Sequence, residues 1–291
     1  MMLPLRVCLP LFLAVPVADA AINIVLDYGT TSSADIATYG ASFEAAETFW
    51  ESNLSGYVDS GLNAPTQVLI NIDLSVDDGV GGRLGFAGPT FGNFGGSFVE
   101  TTQGDMSFDT ADIGSLLTAG TFENVIRHEM AHVLGFGTLW NFDGFQQVYD
   151  SGTGQYTGAA ALAAFQVEFN QPGATYVPVE LDGGGGTANG HWNMGIDLGV
   201  DYEVENSRGD PGDAIVYTSV NNGLSLDNEL MTGFLTGDAW LSNTTLQSFR
   251  DIGYETFLSL VPEPALFSAL LGFFTLVVVL HRRKAPRQLQ G

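Results

Sequence analysis

The chain is poor in the residues that most often carry cross-links or covalent chemistry. It has one cysteine, Cys8, in 291 residues. A lone cysteine closes no intramolecular disulfide. Because Cys8 sits in an apolar leader, the rest of the chain has no thiolate metal site and no cysteine nucleophile. Bases are also scarce, nine against 33 acids, for a formal net charge of −24. Five of the nine lie at the two ends (Arg6, Arg282, Arg283, Lys284 and Arg287). Residues 21–260 therefore hold 31 acids against Arg83, Arg127, Arg208 and Arg250. Such a surface repels phosphate backbones and excludes nucleic-acid binding. Repeats of fixed period are absent as well, which excludes a solenoid or propeller. What is present is 45% hydrophobic and 11% aromatic residues. A disordered acidic chain carries less, so a folded core is expected.

Both ends are organised. Arg6 is followed by an apolar run from Val7 to Val17 and then by Ala18-Asp19-Ala20. This is the tripartite layout of a secretory signal; an uncleaved N-terminal anchor is the alternative. At the other end, Val261-Pro262-Glu263-Pro264 precedes an uncharged stretch, Ala265 to Leu280, and the basic cluster His281-Arg282-Arg283-Lys284. At about 1.5 Å per residue this stretch is short for a bilayer core of roughly 30 Å, although flanking residues can extend it. The basic cluster should stay cytoplasmic and the acidic middle should face outward. The order Pro-Glu-Pro, apolar helix, basic cluster resembles the PEP-CTERM sorting signal of Gram-negative bacteria. That resemblance implies passage through the inner membrane, removal of the tail by an exosortase-type enzyme, and delivery to the cell surface or beyond. A permanent C-terminal anchor is the plainer alternative. The expected organisation is thus 1–20 signal peptide, 21–260 folded domain and 261–291 sorting tail.

The middle reads as α+β. Ile22–Asp27 alternates like a strand, and Gln67–Leu74 is strand-like. Arg83–Ala87, bracketed by glycines and Pro89, reads as a short edge strand. Ser42–Leu54 places Phe43, Ala46, Phe49, Trp50 and Leu54 on one helical face. A helix begins near Thr121 with Glu123 in its first turn, as the helix dipole favours. Beyond Gly135 the chain turns glycine-rich and loop-like, with one clear late helix over Thr244–Arg250.

The helix from Thr121 carries His128-Glu129-Met130-Ala131-His132. Histidines four apart sit about 40° from each other in projection and roughly 6 Å apart along the axis, so both imidazoles can reach one ion. Glu129 lies about 100° round from His128, beside the ion without ligating it, where a general base for water belongs. With four histidines in the chain, this pattern arises by accident in roughly one shuffled sequence in several hundred, so it is read as a site. Gly135 supplies a left-handed exit from the helix. A catalytic zinc site needs a third protein ligand and one open position. The residue six beyond His132 is Thr138, a poor ligand. His281 lies in the tail, which leaves His191, in Gly190-His191-Trp192; Glu168 is the rival.

His128-Glu129-x-x-His132 with Gly135 and a distant His191 resembles the leishmanolysin branch of the metzincins, in which an insertion displaces the third histidine. The likeness extends over most of residues 65–255. Leu84-Gly85-Phe86-Ala87 looks like the family's edge strand over the cleft, and Tyr156-Thr157-Gly158 through Phe165 and Val177–Glu180 like the inserted segment. Glu229-Leu230-Met231-Thr232 looks like the Met-turn, and Thr245 through Tyr254 like the closing helix region. The resemblance implies a metzincin-like zincin. A mixed twisted sheet and the active-site helix would form an upper lobe (about 21–135), above a loop-rich lower lobe (about 136–260).

It also implies a zinc endopeptidase. His128, His132 and His191 would be ligands of one Zn2+, Glu129 the general base, Met231 a packing floor, and Leu84, Gly85, Phe86 and Ala87 the rail for a protein or peptide substrate. Family members commonly carry a blocking cysteine in a propeptide; this chain has none after Cys8. Calcium is conceivable at Asp105, Asp109 and Asp112 or between Asp197 and Asp213, but no complete calcium-loop spacing supports it. The alternative reading is an acidic surface or biofilm-matrix protein that keeps a zincin fold without its activity.

Overall fold

Three phenylalanines and a tryptophan fix where the central helix lies. They stand in a computed structural model that describes residues 22–58, 67–76, 78–94, 96–193, 217–234 and 239–257. The expected signal segment with Cys8, the acidic stretch from Asp197 to Asp213 and the sorting tail with His281 lie outside the described residues. Among the described residues no helix is long and apolar enough to cross a membrane.

The architecture is α+β. The first part of the chain supplies β1 (Asn23–Asp27), α1 (Ser33–Asn53), β2 (Leu54–Tyr57), β3 (Gln67–Val76), β4 (Gly85–Asn93), β5 (Glu100–Asp109), α2 (Thr110–Ala119) and α3 (Phe122–Val133). After Val133 come β6 (Gln155–Tyr156), α4 (Ala159–Glu168), β7 (Val177–Pro178), a single 3₁₀ turn at Leu226–Asn228, α5 (Asn243–Asp251) and β8 (Tyr254–Thr256). The main sheet has the order β1-β3-β5-β4. It is mixed, because β1, β3 and β5 run parallel while β4 pairs antiparallel to β5. Two small antiparallel pairs, β2 with β8 and β6 with β7, complete the pattern.

The strands expected at 22–27 and 67–74 form. The edge strand forms too, but as Gly85–Asn93; Arg83 and Leu84 precede it, and the Leu84 carbonyl accepts the Asp109 amide. Helix α1 begins nine residues before the apolar stripe, because Ser32 caps it by accepting the Asp35 amide. Its first turns add Tyr39, which packs edge to face on Phe122, ahead of the Phe43–Leu54 stripe.

Phe43, Ala46 and Trp50 are buried on α1. Phe43, Phe108 and Phe122 meet edge to face at 5.3–5.9 Å, joining α1, β5 and α3. The Trp50 indole N–H donates to the Arg127 carbonyl at 2.9 Å, one residue before His128. Helix α3 is therefore seated on α1 by ring packing and by one directional bond.

Strand β5 and helices α2 and α4 are among the elements that were not evident from the sequence. Strand β5, with Thr-Gln-Gly-Asp in its middle, has no apolar alternation; it is a strand because β3 and β4 pair with it on both sides. Helix α2 starts on the Asp109 carboxylate, which accepts the Ala111 amide, and ends at Gly120, whose φ is 73°. Helix α4 has no side-chain cap of its own. Its Ala160 and Ala161 amides bond to Asp251 at the end of α5. In return Glu168, at the end of α4, accepts the Asn243 and Thr244 amides at the start of α5. The two helices thus cap each other with carboxylates set against positive helix ends.

Trp50→Ala removes a fully buried ring and the bond to Arg127. It is expected to lower the unfolding free energy by about 3–5 kcal/mol, read as a drop in the urea midpoint. An unchanged midpoint would show that α3 is seated by something else.

Candidate metal centre

Helix α3 is amphipathic, yet His128, Glu129 and His132 are all on its buried side, between 6 and 8% exposed. The helix ends in a Schellman turn: the Gly135 amide bonds to the His132 carbonyl and the Phe136 amide to that of Ala131. Gly135 has φ 111°, as the expected exit requires. The turn brings the Phe136 carbonyl back to the His132 ring, whose Nδ1 donates to it at 2.9 Å. Thr138 is not turned to ligation; its hydroxyl donates to the His132 carbonyl at 2.8 Å.

His191 arrives from far along the chain. A β-carbon on Gly137, which has φ 72°, would lie 2.4 Å from the Gly190 carbonyl oxygen, so only glycine lets the helix exit and the 190–191 backbone touch. Asn189, at φ 66°, holds the approach by accepting from the Tyr149 hydroxyl and the Gly152 amide. His191 is 4% exposed, and its Nδ1 donates to the Thr187 carbonyl at 2.8 Å. His128 Nδ1 donates to the Leu230 carbonyl at 2.7 Å.

These three bonds settle the tautomers. A carbonyl oxygen can only accept, so each Nδ1 carries the proton and each Nε2 presents a lone pair. The Nε2 atoms of His128, His132 and His191 lie 3.0–3.1 Å from one another. Three lone pairs at that spacing repel unless a cation lies among them. A proton does not serve, because burial pushes His128 down to about 3 and His132 to about 4, and drives His191 well below the usual histidine range. A point about 1 Å off the plane of the triangle lies about 2.0–2.1 Å from all three nitrogens, the distance at which imidazole binds zinc. Among the described residues this is the one group of three or more His, Cys, Asp or Glu side chains that could hold a metal ion. The donor set fits a divalent ion of zinc type. Each ring is also oriented through its second nitrogen, as ligating histidines usually are.

Glu129 adjoins this centre. Burial pushes its carboxyl up to about 8, against the opposing pull of Arg83, and no hydrogen bond from the described residues holds it. A β-carbon on Gly85 would come within 3.2 Å of its Cγ and Oε1, so the first residue of β4 lies directly on the Glu129 side chain. Phe86 is exposed and its ring lies 4.5 Å from the Arg83 guanidinium; Leu84 and Ala87 are half-buried. Met231 is fully buried in a tight turn, next to the Leu230 carbonyl that orients His128.

The remaining candidates are engaged elsewhere. Glu168, the rival third ligand, spends both carboxylate oxygens on the start of α5. Asp105 accepts from the Asn71 side chain, Asp109 from the Asp78, Gly79 and Ala111 amides, and Asp112 from the Gly81 amide. No protein-family model matches the chain, and no curated protein does.

The residues that sequence reasoning missed act through their main chain. Leu230, Phe136 and Thr187 supply carbonyls, which leave no mark on side-chain identity. Gly137 was the one visible signal, as a second glycine just past the helix exit.

A pH prediction follows from the depressed histidines. Below about 6.5 the unfolded chain takes up protons that the folded metal-free centre refuses, so this contribution to stability is lost as pH falls toward about 4. Glu129 works in the opposite sense, its contribution fading as pH rises from 4.5 toward about 8. His132→Gln is therefore expected to flatten the stability slope of chelator-treated protein between pH 4.5 and 6.5 by about one proton. Urea unfolding at several pH values checks this, and an unaltered slope would place the His132 ring in water.

Proposed function

We propose that the chain is a zinc-dependent endopeptidase of the leishmanolysin-like metzincin kind. The observation that carries this reading is a buried carboxylate, Glu129, that receives no hydrogen bond from the described residues and stands beside three converging neutral imidazoles. A purely structural centre has no use for an unengaged carboxylate.

His128, His132 and His191 would hold the ion through Nε2. When bound, the ion supplies a Lewis acid and makes water acidic enough to be deprotonated near neutral pH. Beside a divalent charge held there, the Glu129 carboxyl would return toward its ionised form, able to accept a proton. Glu129 takes a proton from the attacking water and passes it to the departing amine. The peptide lies extended along Leu84, Gly85, Phe86 and Ala87 by adding a strand to the sheet. The edge position of β4 and the contact of Gly85 with Glu129 support that placement. Met231 packs the floor of the centre without ligating. The cleft divides an upper lobe, about 21–135, from a lower lobe, about 136–260.

The same reading takes in the ends of the chain. The segment 1–20 directs export and is removed. The tail 261–291 holds the protein in the inner membrane until an exosortase-type enzyme releases it to the surface or the medium.

Glu129→Gln is expected to bind zinc as the wild type does and to lose at least about 100-fold in turnover on casein or gelatin. A variant that still cleaves normally removes Glu129 as the base. His191→Ala is expected to lose the metal; unchanged zinc stoichiometry would break the three-histidine centre. If zinc-loaded wild type cleaves no protein substrate, the matrix-protein reading takes its place.

A further inference from the structure

Glu229 is a fully buried carboxylate that neither the ligand set nor the proton transfer uses. One oxygen, Oε2, accepts the Met231 amide at 2.6 Å. The other, Oε1, accepts the Ser242 amide at 3.0 Å, the Ser242 hydroxyl at 2.9 Å and the Thr245 hydroxyl at 2.6 Å. Thr245 Oγ1 in turn accepts the Trp192 indole N–H at 2.7 Å. Both carbonyls of the turn that follows Glu229 are in use at the centre: that of Leu230 accepts from His128 Nδ1, and that of Met231 accepts the Trp192 amide at 3.0 Å. Trp192 is the residue after His191.

We infer that Glu229 is a positioning residue for the metal centre, the side-chain anchor that, together with the Leu230 amide bonded to the Trp240 carbonyl, sets the Leu230–Met231 backbone and, through it, both the His128 ring and the His191–Trp192 segment. The inference rests on the metal-centre reading. It assigns to one carboxylate the joint placement of two ligands that are 63 residues apart in sequence. All four groups around the carboxylate donate to it. A carboxamide cannot replace it, because its NH2 would face a donor on one side or the other.

Glu168 provides a matched control. It too is a buried carboxylate accepting amides and a hydroxyl at the start of α5, but it has no bond to the 230–231 backbone or to Trp192. Loss of helix capping alone should therefore affect the two sites alike.

The experiment measures zinc affinity of the full chain by competition with a chromophoric chelator, alongside thermal melts. Glu229→Gln is expected to weaken zinc binding by about 10–100-fold, and Glu168→Gln to lower the melting temperature while zinc affinity stays within twofold of wild type. Glu229→Gln binding zinc as tightly as wild type, or Glu168→Gln losing as much affinity as Glu229→Gln, overturns the inference. Should Glu229→Gln fail to fold, Thr245→Val and Thr245→Ser carry the test. A several-fold loss with valine and none with serine supports the anchor, and equal affinities overturn it. A wild type that takes up no zinc overturns the metal-centre reading and this inference together, whereas tight wild-type binding with an indifferent Glu229→Gln overturns this inference alone.

Discussion

Three main-chain carbonyls, those of Leu230, Phe136 and Thr187, decide what this protein can hold. Each takes the Nδ1 proton of one histidine and so aims an Nε2 lone pair at the same point. The arrangement is electrostatically unfavourable by itself, and burial denies it the protonation that would relieve it. Much of the surrounding structure serves to keep those carbonyls in place. The Schellman turn returns the Phe136 oxygen to the helix it has just left. The glycine contact between residues 137 and 190 lets the 187–191 segment close in.

The buried and half-buried carboxylates divide by what faces them. Glu168 and Asp251 face amides at helix starts, where the helix dipole favours a negative charge. Glu229, though burial pushes it up to about 7, is opposed by four donors that favour its ionised form. Among the described residues Glu129 has no such company, and the cationic Arg83 opposes the effect of its burial. Glu168 and Glu229 are thus held by donors as part of the architecture, whereas Glu129 lies beside the imidazoles without a hydrogen bond from the described residues.

Much of the site was legible because it is periodic. His128, Glu129 and His132 sit at helical spacing on a helix with a glycine exit, and all of these are local features. His191 was reached because few histidines remained, not because anything near it announces a ligand; the structure supplies the reason in the Gly137 contact and the Asn189 turn. The edge strand was legible in its glycine brackets but not in its length, since pairing with β5 extends it to Asn93. Strand β5 and helix α4 escaped notice because their stability comes from partners distant in sequence, β3 and β4 for the one and Asp251 for the other. The carbonyls that orient the imidazoles are invisible to any reading of side chains.

The span of these contacts bears on how the polypeptide is made. His128 is oriented by a backbone atom 102 residues further along, so a nascent chain interrupted before Leu230 contains the whole His-Glu-x-x-His helix yet lacks the oxygen that turns its first imidazole. The three-imidazole centre is then completed late in biogenesis. A truncated product would keep the recognisable motif but not the pre-aimed donor set.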